Sequence, residues 1–155
     1  MSIEIGQVAP DFSLVDSEGN EVRLSQFRGN QNVALFFFPA AFTGGCERQV
    51  VAHDQSMEQF AALSTQVLGV STDQRFALKA WIAQCGAKSY PLLSDSLRQA
   101  VTDYGVARTQ GVGNERATFL IDREGIVRWS KVEDKPSEWI GIERELEELR
   151  KIANA

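Results

Sequence analysis

The sequence predicts an α/β fold, a central mixed sheet flanked by helices, and three features predict it. Residues 33–38, from Val33 to Phe38, are apolar on both faces, as a central strand covered on each side by helices must be. Strand-like and helix-like segments then alternate in the order β-α-β-α. The chain closes with Ile142, Leu146, Leu149 and Ala153 at helical spacing, and charged residues fill the other faces.

In order along the chain, residues 11–15, the turn Asp16-Ser17-Glu18-Gly19-Asn20 and residues 21–24 predict an N-terminal β-hairpin. The strand 33–38 ends at Pro39, which has no N–H to give. Thr43, Gly44 and Gly45 supply a helix cap and permissive backbone before a helix that starts near Cys46. Residues 67–70 predict a second strand, and Ser71-Thr72-Asp73-Gln74 reads as a capping box opening a helix to about Gln84. A short strand at Leu92-Leu93 and a helix over 97–104 come next. Strands 117–122 and 126–132 around Arg123-Glu124-Gly125 predict a closing hairpin. The stretch 107–114 is polar and contains glycine, as a loop inside one domain would be. One domain, 1–155, is expected, since 155 residues of which 43% are hydrophobic can build a single core without disulfides.

Composition narrows the partners. With 21 acidic and 16 basic side chains, a formal charge of -5 repels phosphate backbones, so nucleic acid is not expected. The longest apolar stretch is far shorter than the ~20 residues that cross a bilayer, so no membrane role is expected. Residues 1–8 lack a basic start followed by an apolar run, which makes cytoplasmic residence the expectation. Two cysteines, no Cys-x-x-Cys and a single histidine do not make a zinc site.

In a reducing compartment the question becomes whether a thiol reacts. A cysteine is a nucleophile only as thiolate, which helix N-terminal N–H groups and a nearby cation favour. Cys46 stands where a helix begins. Thr43, three residues earlier, places a hydroxyl where it can bond the sulfur and an incoming oxygen, and Pro39 can shield the site from water. Attack on a peroxide expels alkoxide or hydroxide, so donors for the developing charge are required, and one fixed arginine would serve.

The segment Pro39-Ala40-Ala41-Phe42-Thr43-Gly44-Gly45-Cys46 has the Pro-x-x-x-Thr-x-x-Cys pattern and resembles the peroxiredoxins. Ala9-Pro10-Asp11-Phe12, Pro91-Leu92-Leu93-Ser94-Asp95 and Arg116-Ala117-Thr118-Phe119-Leu120-Ile121-Asp122 resemble further segments of that family. The resemblance therefore runs along nearly the whole chain, and it looks closest to the AhpE and bacterioferritin-comigratory-protein branches. It implies a thioredoxin-like fold and reduction of hydroperoxides without metal or organic cofactor. Carried over by position, it makes Cys46 the peroxidatic nucleophile that cycles through sulfenic acid, Thr43 its hydrogen-bonding partner, Pro39 a shield and Arg116 the cationic stabiliser. It implies a thioredoxin-like or low-molecular-weight thiol as reductant, and a weak homodimer is the expected assembly. The pattern departs at Gln49, where many family members carry glutamate. Glutamine accepts a hydrogen bond but offers an arginine no charge.

Other residues carry blander readings. Cys85 shares a helical stripe with Leu78 and Ile82, which suits burial, while some related proteins use a cysteine in a comparable helix to resolve the oxidised sulfur. Both readings stay open, and a disulfide would require the turn around Cys46 to unwind. His53, on the apolar side shared by Val50 and Met57, reads as a satisfied, partly buried histidine. Arg48 reads as an exposed-face residue at least as well as a site residue, and the Phe36–Phe38 run and Trp81 read as core that can also form an apolar collar around the peroxide site. Two other functions compete: a thiol-disulfide oxidoreductase, against which the missing Cys-x-x-Cys argues, and a silent thioredoxin-like interaction module.

Overall fold

Strand β3 (Asn32–Phe37) is an interior strand of a seven-stranded sheet, and every residue in it is buried. In the computed structural model, which describes residues 3–110 and 113–153, the sheet order is β2-β1-β5-β4-β3-β6-β7. The strands are β1 (Ser13–Asp16), β2 (Glu21–Arg23), β4 (Thr65–Ser71), β5 (Leu92–Ser94), β6 (Ala117–Ile121) and β7 (Val127–Val132). β3, β4 and β5 are parallel, joined by helical crossovers, and the hairpins β1–β2 and β6–β7 pair antiparallel on either side. The α/β class, the mixed sheet and both predicted hairpins are present. Within the loop 107–114, residues 111 and 112 lie outside the described residues, as do residues 1 and 2 of the N-terminal stretch.

Because side chains alternate along a strand, β3 feeds two cores. Val33, Leu35 and Phe37 join Phe12, Tyr104 and Phe119 on one face, with helix α4 (Gln99–Asp103). Ala34, Phe36 and Phe38 join Cys46, Val50, Phe60, Leu78, Trp81 and Leu149 on the other. That face is covered by α1 (Gly44–Gln55), α2 (Met57–Ala62), α3 (Arg75–Cys85) and α5 (Ile142–Ala153). Each fully buried Phe here contributes on the order of 1.5–3 kcal/mol. Gly69 of β4 sits opposite Phe36, and a Cβ there would meet the Phe36 ring and Leu92 Cδ2 at 2.7 Å. The absent side chain leaves the room that the Phe36 ring and Leu92 fill beside β4.

Three local expectations change. No capping box opens α3: Ser71 is still the last residue of β4 and its hydroxyl donates to Asp73 Oδ2 at 2.7 Å, so the N-cap is Gln74, without a side-chain bond, and the same Asp73 oxygen accepts the Ala41 N–H at 2.8 Å. The helix predicted over 97–104 begins only at Gln99, after an exposed Leu97 and a left-handed Arg98; Asp95 before it accepts the Gln99 and Val101 N–H groups. The helix after Cys46 stops at Gln55, and Ser56 (φ -108°, ψ 11°) separates it from α2.

Candidate active site

The register of the sheet assembles the site. β3 ends at Phe37, and the chain turns through Pro39 and a left-handed Phe42 (φ 64°) into α1, so Cys46 lies in that helix's first turn, among N–H groups with no intrahelical partner. β6 runs antiparallel to β3 with Ala117 opposite Phe37, which carries the preceding residue, Arg116, to the carboxyl end of β3. Cys46 and Arg116 thus meet where the strand order reverses around β3, outside the ends of the parallel strands.

Cys46 is 1% exposed and Arg116 3%. The arginine's Nη2 donates to Cys46 Sγ at 3.4 Å. Its Nη1 donates to Gln49 Oε1, while Nε and Nη2 donate to the Pro136 carbonyl at 3.1 and 2.8 Å. Among these partners only the sulfur can carry negative charge, and a buried cation is costly without a counter-charge. Gln49 therefore orients the arginine as a carboxylate would, without competing for its charge. Its Nε2 is a buried donor with no partner among the described residues.

The segment holding Pro136 begins directly beside Arg116. Ala117 pairs with Val132, and the Glu133 N–H donates to the Arg116 carbonyl at 2.9 Å. Glu133 Oε2 accepts the Ile140 N–H at 3.1 Å and closes the segment; burial pushes this carboxyl up, against the Ile140 N–H, Lys131 and Arg116. Further on, Trp139 Nε1 donates to Glu145 Oε2 at 3.1 Å. Glu145 Oε1 lies 2.9 Å from His53 Nε2, and His53 Nδ1 lies 2.8 Å from the Gln49 carbonyl.

Of the residues singled out in the sequence, Cys46, Thr43, Pro39 and Arg116 all fall in this region. Thr43 occupies the N-cap position of α1 but does not cap with its side chain; its hydroxyl donates to the Ala40 carbonyl at 2.9 Å. Its oxygen lone pairs can then only accept. Pro39 is half-buried, and its carbonyl packs against Gly113, where a Cβ would come within 2.6 Å of it at φ +85°. Arg98 Nη1 holds the Gly113 carbonyl at 3.0 Å. In Gly113→Ala we expect a loss of about 1–3 kcal/mol in a denaturant melt, from strained backbone and collision together.

Cys85 is the last residue of α3, half-buried against the Cys46-side core, and both cysteines are free thiols. Arg48 is exposed, as expected, and Trp81 is core, with Phe42 and Phe38 beside it. His53 is wholly rather than partly buried, stacked on Phe36 with centroids 4.3 Å apart. Sequence reasoning missed Pro136, Trp139 and Glu145. Pro136 contributes a backbone carbonyl, which leaves no side-chain signal. Glu145 did leave one, an acid inside the apolar stripe Ile142–Leu146–Leu149 of α5, matching a histidine inside the stripe of α1.

Similarity to known proteins runs along most of the chain. The AhpC/TSA family model matches residues 5–130. The chloroplastic 2-cysteine peroxiredoxin of Chattonella marina var. antiqua is 40% identical over 141 residues, 85% of this chain and 72% of that protein. Peroxiredoxin-2 of Macaca fascicularis is 36% identical over 160 residues, 97% and 78% of the two chains. Among solved structures, peroxidoxin BcpB from Mycobacterium tuberculosis has a TM-score of 0.88 at 28% identity, covering 97% of this chain and 98% of that one. The reduced 2-Cys peroxiredoxin of Plasmodium vivax has a TM-score of 0.87 at 29% identity, over 97% and 82%.

Proposed function

Since this chain belongs to the AhpC/TSA family, the peroxiredoxins, we propose that its thiol-dependent peroxidase reaction runs through Cys46 as nucleophile, with Arg116, Thr43, Pro39 and Gln49 around it. The observation that carries this reading is the Arg116 Nη2 to Cys46 Sγ contact, 3.4 Å, in the first turn of α1. The cysteine thiolate attacks one peroxide oxygen, the O–O bond breaks, and the other oxygen leaves with the bond's electrons as alkoxide or hydroxide, to be protonated to alcohol or water. Sulfur, oxidised by two electrons, becomes sulfenic acid. Arg116 stabilises the charge first on sulfur and then on the departing oxygen. Thr43, its own hydrogen committed to Ala40, accepts the O–H of the hydroperoxide and orients it. Pro39, half-buried in the loop that leads from β3 to Cys46, has the role of shielding the sulfur from water. Peroxide consumption with a thiol reductant, lost in Cys46→Ser, tests the reading; disulfide reduction without fast peroxide turnover would point to a thiol-disulfide oxidoreductase instead.

Regeneration needs two thiol equivalents. We assign the first to Cys85: it ends α3 just before a left-handed Gly86 (φ 80°), and Cys46 lies in the opening turn of α1, so both stand at helix ends, where opening is least costly. Sulfenic acid and thiol condense to a disulfide with loss of water, and an external thioredoxin-like or low-molecular-weight thiol reduces it. After one equivalent of peroxide, intact-mass and peptide analysis is expected to show a Cys46–Cys85 disulfide in the wild type and sulfenic acid or a mixed disulfide in Cys85→Ser. Persistent sulfenic acid in both proteins would assign resolution to the external thiol. The cytoplasm, whose thiols are kept reduced, supplies that reductant. A weak homodimer is the proposed assembly, to be read by sedimentation across a concentration series.

A further inference from the structure

We infer that His53 and Glu145 are positioning residues for the Cys46 reaction, acting through Gln49 and Pro136 on Arg116; this rests on the reading of Cys46 as peroxidatic nucleophile. The two side chains are 0% exposed and come from different helices, α1 and α5. All four of their polar atoms are engaged. His53 Nδ1 faces the Gln49 carbonyl, which can only accept, so Nδ1 carries its hydrogen. Nε2 faces Glu145 Oε1, so one further proton lies between those two atoms, and Oε2 accepts from Trp139. Such a pair is expensive to bury merely to join two helices, since apolar side chains of similar size do that as well or better.

What the pair adds is a closed circuit. From Arg116 it passes to Gln49 Oε1, through the Gln49 carbonyl to His53, on to Glu145 and to Trp139. From Trp139 it returns along the backbone to the Pro136 carbonyl, which accepts from Nε and Nη2 of the same arginine. Both supports of the guanidinium, the Gln49 amide and the Pro136 carbonyl, are thereby tied to the one buried pair. Phe36, Phe60, Tyr90 and Trp139 close around the imidazole with centroids 4.3–6.2 Å away, so it has no room to swing out of the circuit. An arginine supported at two points keeps Nη2 aimed at the sulfur, and one freed to tilt does not.

The test measures the second-order rate constant for Cys46 oxidation by hydrogen peroxide in the full chain, by stopped-flow fluorescence and per folded molecule, beside a thermal melt. In Glu145→Gln the amide can donate to a neutral His53 and still accept from Trp139, so the circuit survives and the rate is expected to stay within about threefold of wild type. Glu145→Ala breaks it and is expected to be roughly tenfold slower or more. The double variant His53→Phe/Glu145→Leu replaces the pair with apolar packing; it is expected to melt at or above the wild-type temperature and yet react about tenfold slower. A well-folded double variant reacting at the wild-type rate would reduce the pair to a helix joint and overturn the inference. So would a Glu145→Gln protein as slow as Glu145→Ala, a comparison that decides the matter even where the double variant does not fold. Failure of the underlying reading looks different: wild type itself would then react no faster than free cysteine.

Discussion

Replacing Cys46 by serine is expected to lower the rate of peroxide reduction by at least about 10³-fold, equivalent to ~4 kcal/mol in the barrier, and to leave only background consumption. A serine hydroxyl stays protonated and is a poor nucleophile toward the O–O bond, whereas the thiolate is both ionised and polarisable. The substitution is nearly isosteric at a position 1% exposed, so packing of Phe38, Val50 and Trp81 around it should persist. What changes is the charge on the partner of Arg116. Among the described residues Arg116 loses the one hydrogen-bond partner able to carry a negative charge, and Glu133, which does not bond it, is left as its counter-charge, so a lower melting temperature should accompany the lost activity. Peroxide consumption with a thiol reductant, followed by absorbance, checks the rate. A Cys46→Ser protein that still consumes peroxide at the wild-type rate would place the chemistry elsewhere.

Arg116→Met is expected to cost roughly 10²–10³-fold in the second-order rate constant, the range seen when one preorganised donor to a developing anion is removed. Arg116→Lys should fall between the two, because it keeps the charge and loses the geometry. An ammonium has no planar fork, and it cannot reach the sulfur, the Gln49 amide and the Pro136 carbonyl from the positions that the guanidinium nitrogens occupy. The deficit should lie in the oxidation step and spare the subsequent reaction of sulfenic acid with thiol, which single-turnover kinetics separate. If Arg116→Met oxidises within about threefold of wild type, electrostatic stabilisation by this arginine is not the source of the rate.

Much of this molecule is legible in the order of its residues, for identifiable reasons. The run 33–38 reads as a central strand because burial on both faces leaves no polar position in it, and the closing helix reads clearly because its stripe is regular. The motif from Pro39 to Cys46 is local in sequence, so its parts lie together whatever the rest of the chain does. Arg116, 70 positions away from Cys46, required the family resemblance; its arrival is a consequence of antiparallel register between β6 and β3, which spacing alone does not encode. Local patterns failed where a partner other than the helix N–H groups took the side chain. Ser71 looked like a cap and gives its hydroxyl to Asp73, which also accepts the Ala41 N–H across the site, and Thr43 looked like a capping hydroxyl and donates to the Ala40 carbonyl three residues back. The Pro136 carbonyl was invisible because every residue has one.

The bare backbone at Gly69 also constrains how this sequence can change over time. Phe36 and Leu92 both press into the space that a methyl group would fill, and the same Phe36 ring is the floor beneath the imidazole of His53. Positions 36, 69 and 92 are therefore not free to drift singly. An alanine at 69 would be accepted only in a lineage that had already trimmed one of its two neighbours, and trimming Phe36 would remove the platform on which the histidine rests.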